Sequence, residues 1–107
     1  MAAIPRETVT LIQEFIELAK QDFAIERVFL FGSYASGKQK TDSDIDLAII
    51  SPDFRQEDCI SNMTRLLCRA DELNADIQSI PFSPAEYAEP MGLMEEILRT
   101  GIEFQIA

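Results

Sequence analysis

Asp44 and Asp46 stand two apart in the run Ser43-Asp44-Ile45-Asp46-Leu47-Ala48-Ile49-Ile50, which alternates and then turns apolar. Residues two apart on a strand share a face. Both carboxylates therefore project together, and Ile45 between them turns to the core. Adjacent carboxylates repel, and they persist cheaply only when exposed, protonated or bridged by a cation. Mg²⁺ is the fitting ion, because it takes a couple of carboxylates and fills its other octahedral positions with water and phosphate oxygens. A second feature precedes the pair. Gly32-Ser33 ends the apolar run Val28–Phe31. Glycine lets backbone approach a ligand closely, and a helical turn opening after it offers free N–H groups to an anion. Ser33 adds a hydroxyl. One strand end thus offers a phosphate seat and the next strand offers a seat for its cation. Lys38 and Lys40 lie on the loop between the two halves, where they could meet phosphates; the plainer reading is solvated loop lysines. The chain has no histidine, which excludes Ser-His-Asp and Cys-His catalysis and any histidine-ligated zinc or haem.

The elements that must position these residues follow from periodicity. Val9, Ile12, Phe15, Ile16 and Ala19 form a helical stripe over residues 6–20, with Pro5 suited to the first turn. Residues 26–31 and 44–51 read as buried strands, and residues 32–43 as a polar loop with room for one helical turn after Ser33. Residues 56–73 place Ile60, Met63, Leu66, Leu67, Ala70 and Leu73 on one helical face. A third strand over 75–80 is stopped by Pro81. Ser83-Pro84-Ala85-Glu86 opens a capped short helix over 83–89. A further helix spans 92–100, with Gly101 at its cap, and residues 102–106 form a last, edge strand. The order predicts one domain over residues 1–107, of the α/β (α+β) class, with a mixed sheet of about four strands and helices packed against it.

The charge balance narrows the partners. Nine Lys and Arg stand against 19 Asp and Glu, a net charge of −10 over 107 residues. An extended nucleic-acid groove needs clustered positive charge, which this composition lacks. A basic protein partner suits it better. The N-terminal Met1-Ala-Ala-Ile-Pro-Arg-Glu is not a signal peptide, and no apolar run is long enough for a bilayer. Cys59 and Cys68 lie nine residues apart in one helix, roughly 13 Å along its axis, too far to bridge. A reducing, cytoplasmic setting is expected.

The combined pattern is Gly32-Ser33, Gly37, then Ser43-Asp44-x-Asp46-Leu47, directly behind an apolar strand. It resembles the nucleotidyltransferase superfamily that includes DNA polymerase beta and the antibiotic nucleotidyltransferases, and most of all its minimal nucleotidyltransferase (MNT) branch. The resemblance is detailed over residues 28–51 and looser to the C-terminus. It implies that Gly32 and Ser33, with Lys38 nearby, contact a nucleoside triphosphate, and that Asp44 and Asp46 hold Mg²⁺, two ions in all. It implies transfer of a nucleotide, AMP from ATP, onto a hydroxyl, by in-line attack on the α-phosphate with pyrophosphate leaving. Members of this branch pair with a HEPN-domain protein as antitoxin and toxin, and characterised examples transfer AMP onto a tyrosine of the partner. A HEPN partner or self-association is therefore expected.

The family carries one more acid on a neighbouring strand, which completes a metal site and can act as base. Asp76 and Gln78 are the candidates, two apart and on one face. Asp76 is the only acid of the strand and is the preferred catalytic and metal residue. Gln78 is the alternative by its place relative to the Pro81-Phe82 turn, and a glutamine there gives no negative charge. The rival function is accordingly a catalytically weak or inactive binding subunit that caps a partner protein.

Overall fold

The computed structural model describes residues 4–38 and 44–106. The elements run α1 (Arg6–Ala19), β1 (Arg27–Phe31), α2 (Ser33–Ser36), β2 (Ile45–Ile50), α3 (Cys59–Glu72), β3 (Ile77–Phe82), α4 (Pro84–Ala88), α5 (Leu93–Thr100) and β4 (Ile102–Phe104), with a 3₁₀ turn, Gln56–Asp58, leading into α3. This is the mixed α/β architecture read from the sequence, with the four strands in the order β3-β2-β1-β4. β1 is antiparallel to both β2 and β4. β3 is parallel to β2, and α3 makes the crossover that a parallel pair requires.

Alternation along the strands divides the core into two layers. Val28, Leu30, Ile45, Leu47, Ile49 and Ile77 face one side and pack with Ile12, Phe15 and Ile16 of α1 and with Leu66 and Ala70 of α3. Phe29, Ala48, Ile50 and Phe82 face the other side and pack with Met94 and Ile97 of α5, with Tyr87 of α4 against them. Asp46 belongs to this second face. Ser83 caps α4 as its sequence predicts: the Ser83 hydroxyl accepts from the Glu86 N–H at 3.2 Å, and the Ser83 N–H donates to the Glu86 carboxylate at 2.9 Å.

Two elements differ from the reading by pattern. β3 covers 77–82, not 75–80, and runs through Pro81. The Ile45 N–H donates to the Asp76 carbonyl at 2.8 Å and the Ser51 N–H to the Phe82 carbonyl at 3.1 Å. These bonds turn the backbone of the even-numbered residues toward β2, so the missing N–H of Pro81 falls on the outer edge, where no ladder bond is lost. The α3 stripe also splits. The helix seats on the sheet by the line Asn62, Leu66 and Ala70, all buried. Ile60, Met63 and Leu67, expected on the same buried face, stay exposed at 82%, 43% and 57%. Both cysteines are free and exposed on α3. Among the described residues, no helix is long and apolar enough to cross a membrane.

Candidate active site

The antiparallel β1–β2 pair brings the two halves of the motif together. Its register sets Phe31 opposite Asp46, so Gly32, one residue on, lies over the Asp46 side chain. Gly32 has φ +75°, which L side chains rarely adopt. A Cβ added there would collide with the Asp46 Oδ2 atom. Position 32 is thus glycine for two reasons, a turn and a close approach, the second of them to the Asp46 carboxylate. The chain then makes the single turn α2, closed by Gly37 in the left-handed conformation. The Ser36 N–H donates to the Gly32 carbonyl at 3.1 Å and the Lys38 N–H to the Ser33 carbonyl at 2.9 Å. Ser33 is half-buried at this turn, Tyr34 packs toward the first core layer, and Lys38 is exposed just beyond it. Lys40, Asp42 and Ser43 lie outside the described residues.

Asp44 is exposed, Ile45 is buried and Asp46 is half-buried, which is the alternation expected of paired carboxylates on one face. The Asp46 pKa is raised above its ordinary value, first by burial and then by the charge of Asp44. Among the described residues, no ion pair includes either aspartate. A site with two like charges, one of them partly withdrawn from water, has the donor set for a divalent cation.

Gln78 of β3 stands beside this pair. Its register partner across the parallel ladder is Asp46, and its amide donates to the Asp44 Oδ2 at 3.2 Å. Asp76 lies one residue before β3, exposed, with its carbonyl bonded to the Ile45 N–H. Among the described residues, no three acidic, cysteine or histidine side chains group so as to hold a metal ion. The structure therefore brings Gly32, Asp44, Asp46 and Gln78 into one corner and does not gather Asp76 with the aspartate pair. The residue of β3 level with Asp46 is Gln78, a neutral amide, and Asp76 stands one residue before the strand.

A charged cluster that the sequence reading did not single out sits elsewhere. Arg69 of α3 grips Asp22 with two bonds, Nε to Oδ2 at 2.8 Å and Nη2 to Oδ1 at 3.1 Å, while its Nη1 reaches Glu72 at 2.9 Å. This fork lowers the Asp22 pKa, chiefly through the Arg69 hydrogen bonds. Asp22 and Arg69 are 47 residues apart, and no local pattern announces such a pair.

A family model described as "Polymerase beta, Nucleotidyltransferase" matches residues 13–105. Among solved structures, a Sulfolobus solfataricus protein described as a nucleotidyltransferase aligns with a TM-score of 0.69 and 19% identity, over 92% of this chain and 79% of that one. A chain of a toxin–antitoxin complex with AMP-PNP aligns with a TM-score of 0.58 and 21% identity, over 89% and 73%. A chain from the complex of a tri-AMPylated Shewanella oneidensis HEPN toxin with its MNT antitoxin aligns with a TM-score of 0.58 and 17% identity, over 92% and 72%. These likenesses show a shared fold. No protein of curated function matches the chain.

Proposed function

The chain belongs to the polymerase beta nucleotidyltransferase family, and on that premise we propose that it is a Mg²⁺-dependent nucleotidyltransferase that moves AMP from ATP to a hydroxyl of a HEPN-domain partner, as the antitoxin of such a pair. The observation that carries this reading is the corner itself: Gly32 lies against the Asp46 carboxylate, beside Asp44, at one end of the β1–β2 ladder. The 107 residues act as a single transferase domain in a reducing, cytoplasmic setting.

Asp44 and Asp46 would hold the Mg²⁺, and their shared face and mutual repulsion fit that role. An Mg²⁺ held by these two carboxylates would supply positive charge against the triphosphate and the developing charge of an in-line displacement. The chain's own groups do the rest. The turn at Gly32-Ser33 seats phosphate oxygens with backbone N–H groups and the Ser33 hydroxyl, and Lys38 is within the same turn's exit to meet them. The Gln78 amide fixes the Asp44 carboxylate by its hydrogen bond. Asp76, exposed next to this corner, is the candidate base for the acceptor hydroxyl and not a metal ligand.

A second reading, the weakly catalytic or inactive cap, is favoured by Gln78 at the third position. An amide gives a metal no charge and takes no proton at neutral pH. Calorimetry with ATP, with Mg²⁺ and then in excess EDTA, tests the site common to both readings. Binding is expected only with Mg²⁺, because a chain at −10 does not attract a polyanion unaided. Equal affinity in EDTA sinks the metal site. Labelled-AMP transfer to the HEPN partner then separates enzyme from cap.

A further inference from the structure

The site sits beside an edge that the fold leaves unpaired. Among the described residues β3 pairs with β2 alone. The ladder bonds to Asp76 and Phe82 turn the even-numbered backbone toward β2, so the N–H and C=O groups of Ile77 and Ser79 face outward. Pro81 blunts the far end of that edge, since it has no N–H to give. The receptive stretch is therefore short and flanks Gln78. Along it runs a groove of about 570 Å³ between β3 and α3, walled by Ile60, Met63 and Leu67 and floored by Ile77 to Ile80. The Ser79 hydroxyl is buried there with no partner among the described residues. Ile60 and Leu67, at 82% and 57% exposure, leave most of their apolar surface uncovered.

We infer that this groove docks an extended segment of a basic protein partner, the segment that carries the acceptor hydroxyl, as a fifth strand on β3. The inference rests on the transferase reading above and names how its acceptor is presented. Three observations favour this occupant. An added strand places alternate side chains on opposite faces. One set would cover Ile60, Met63 and Leu67, and the other would fall on the face that bears Gln78, Asp46 and Asp44. The groove is continuous with the site, since Gln78 lines both. Charge decides against a second copy, because two chains at −10 each repel, whereas a basic segment is drawn in. Strands lie about 4.8 Å apart, so the added strand runs about 10 Å from β2.

The test uses a HEPN-domain protein as the partner, and three forms of the chain: wild type, the double variant Ile60→Ser/Leu67→Ser, and Ser79→Pro. The serines replace exposed side chains, and the proline removes an outward N–H while leaving the β2 ladder intact, as Pro81 does. Melting curves verify that each variant folds. Partner affinity by analytical ultracentrifugation should fall at least tenfold in both variants, with Mg²⁺-dependent ATP binding unchanged. Hydrogen exchange should show the Ile77 and Ser79 amides protected in the wild-type complex. Unchanged affinity in folded variants, or no protection at those amides, overturns the docking inference. So does a wild type that binds no partner, or a chain that dimerises alone through this groove. Loss of Mg²⁺-dependent ATP binding in the wild type overturns the transferase reading instead, and partner affinity still judges the groove.

Discussion

Asp22 and Asp46 are both half-buried carboxylates, and the molecule treats them in opposite ways. Asp22 is given its counter-ion by the chain: Arg69 grips it with two bonds and Arg65 stands 3.7 Å away. Its pKa is lowered, with those hydrogen bonds as the leading cause. Asp46 receives a second aspartate and a glycine where a cation would be expected, and its pKa is raised, first by burial and then by Asp44. The first arrangement ties the end of α1 to α3. The second leaves two like charges side by side with no counter-ion among the described residues. The difference separates an acid paired within the fold from one that, on the proposed function, serves a ligand.

The largest effect expected of breaking this contrast is on transfer. Asp46→Asn removes half of the cation's seat and should cut AMP transfer by roughly 10²–10³-fold, the scale seen when one charge-stabilising group is lost. Its melting temperature should equal or exceed that of wild type, because the lost charge is the one disfavoured by burial. A lower melting temperature would place Asp46 with Asp22 among structural acids. Gln78→Glu sharpens the contrast from the other side. A third carboxylate level with Asp46 should raise Mg²⁺ affinity by about tenfold, on the scale of neighbouring-group effects at metal sites, and raise transfer with it. Titration of Mg²⁺ against both forms reads this directly, and an unchanged affinity would mean that position 78 does not face the metal.

Asp22→Ala should leave Mg²⁺-dependent ATP binding as it is and lower the melting temperature by several degrees, about 5 °C for a domain of this size. The arginine fork then has no carboxylate to hold. The smallest effect is in the pH profile, where the two acids have opposite signs. Asp22 has a folded pKa below its unfolded value of about 3.9. Its contribution is complete above that value and lost as pH falls through the folded pKa. Asp46 has a folded pKa above its unfolded value, so the stability it retains at low pH is lost as pH rises through the folded pKa. Melts between about pH 3 and pH 6 should show the acid-side loss disappear in Asp22→Asn and the rise-side loss disappear in Asp46→Asn. Saturating Mg²⁺ should erase the second effect and leave the first.

Much of this contrast was legible in the sequence, but only one side of it. Asp44-x-Asp46 behind Gly32-Ser33 announced that the aspartate pair and the glycine turn meet, because strand alternation and a glycine turn are local signals. The order of elements along the chain and the mixed sheet followed from periodicity, and the capped helix from the Ser83-Pro84-Ala85-Glu86 signature, all local signals. What escaped depends on pairing across distance. The choice between Asp76 and Gln78 is set by a parallel register, and a register slip of two residues leaves the side-chain pattern unchanged. β3 ran past Pro81 because a proline's effect depends on which edge its nitrogen faces. Ile60, Met63 and Leu67 fit a helical stripe as well as Leu66 and Ala70 do, and the sheet covers only one line of it. The Asp22–Arg69 pair has no local signature at all.

The connectivity of the corner also bears on the order in which it assembles. β1 and β2 are antiparallel partners that follow one another along the chain with only α2 between them among the described elements. β3 reaches the same sheet only after the whole of α3, in parallel. Loop closure costs more entropy as the span lengthens, and non-local parallel pairings form late. The hairpin that lays Gly32 on Asp46 should thus form while Gln78 is still unplaced. During that interval the two carboxylates stand without the amide that later steadies Asp44.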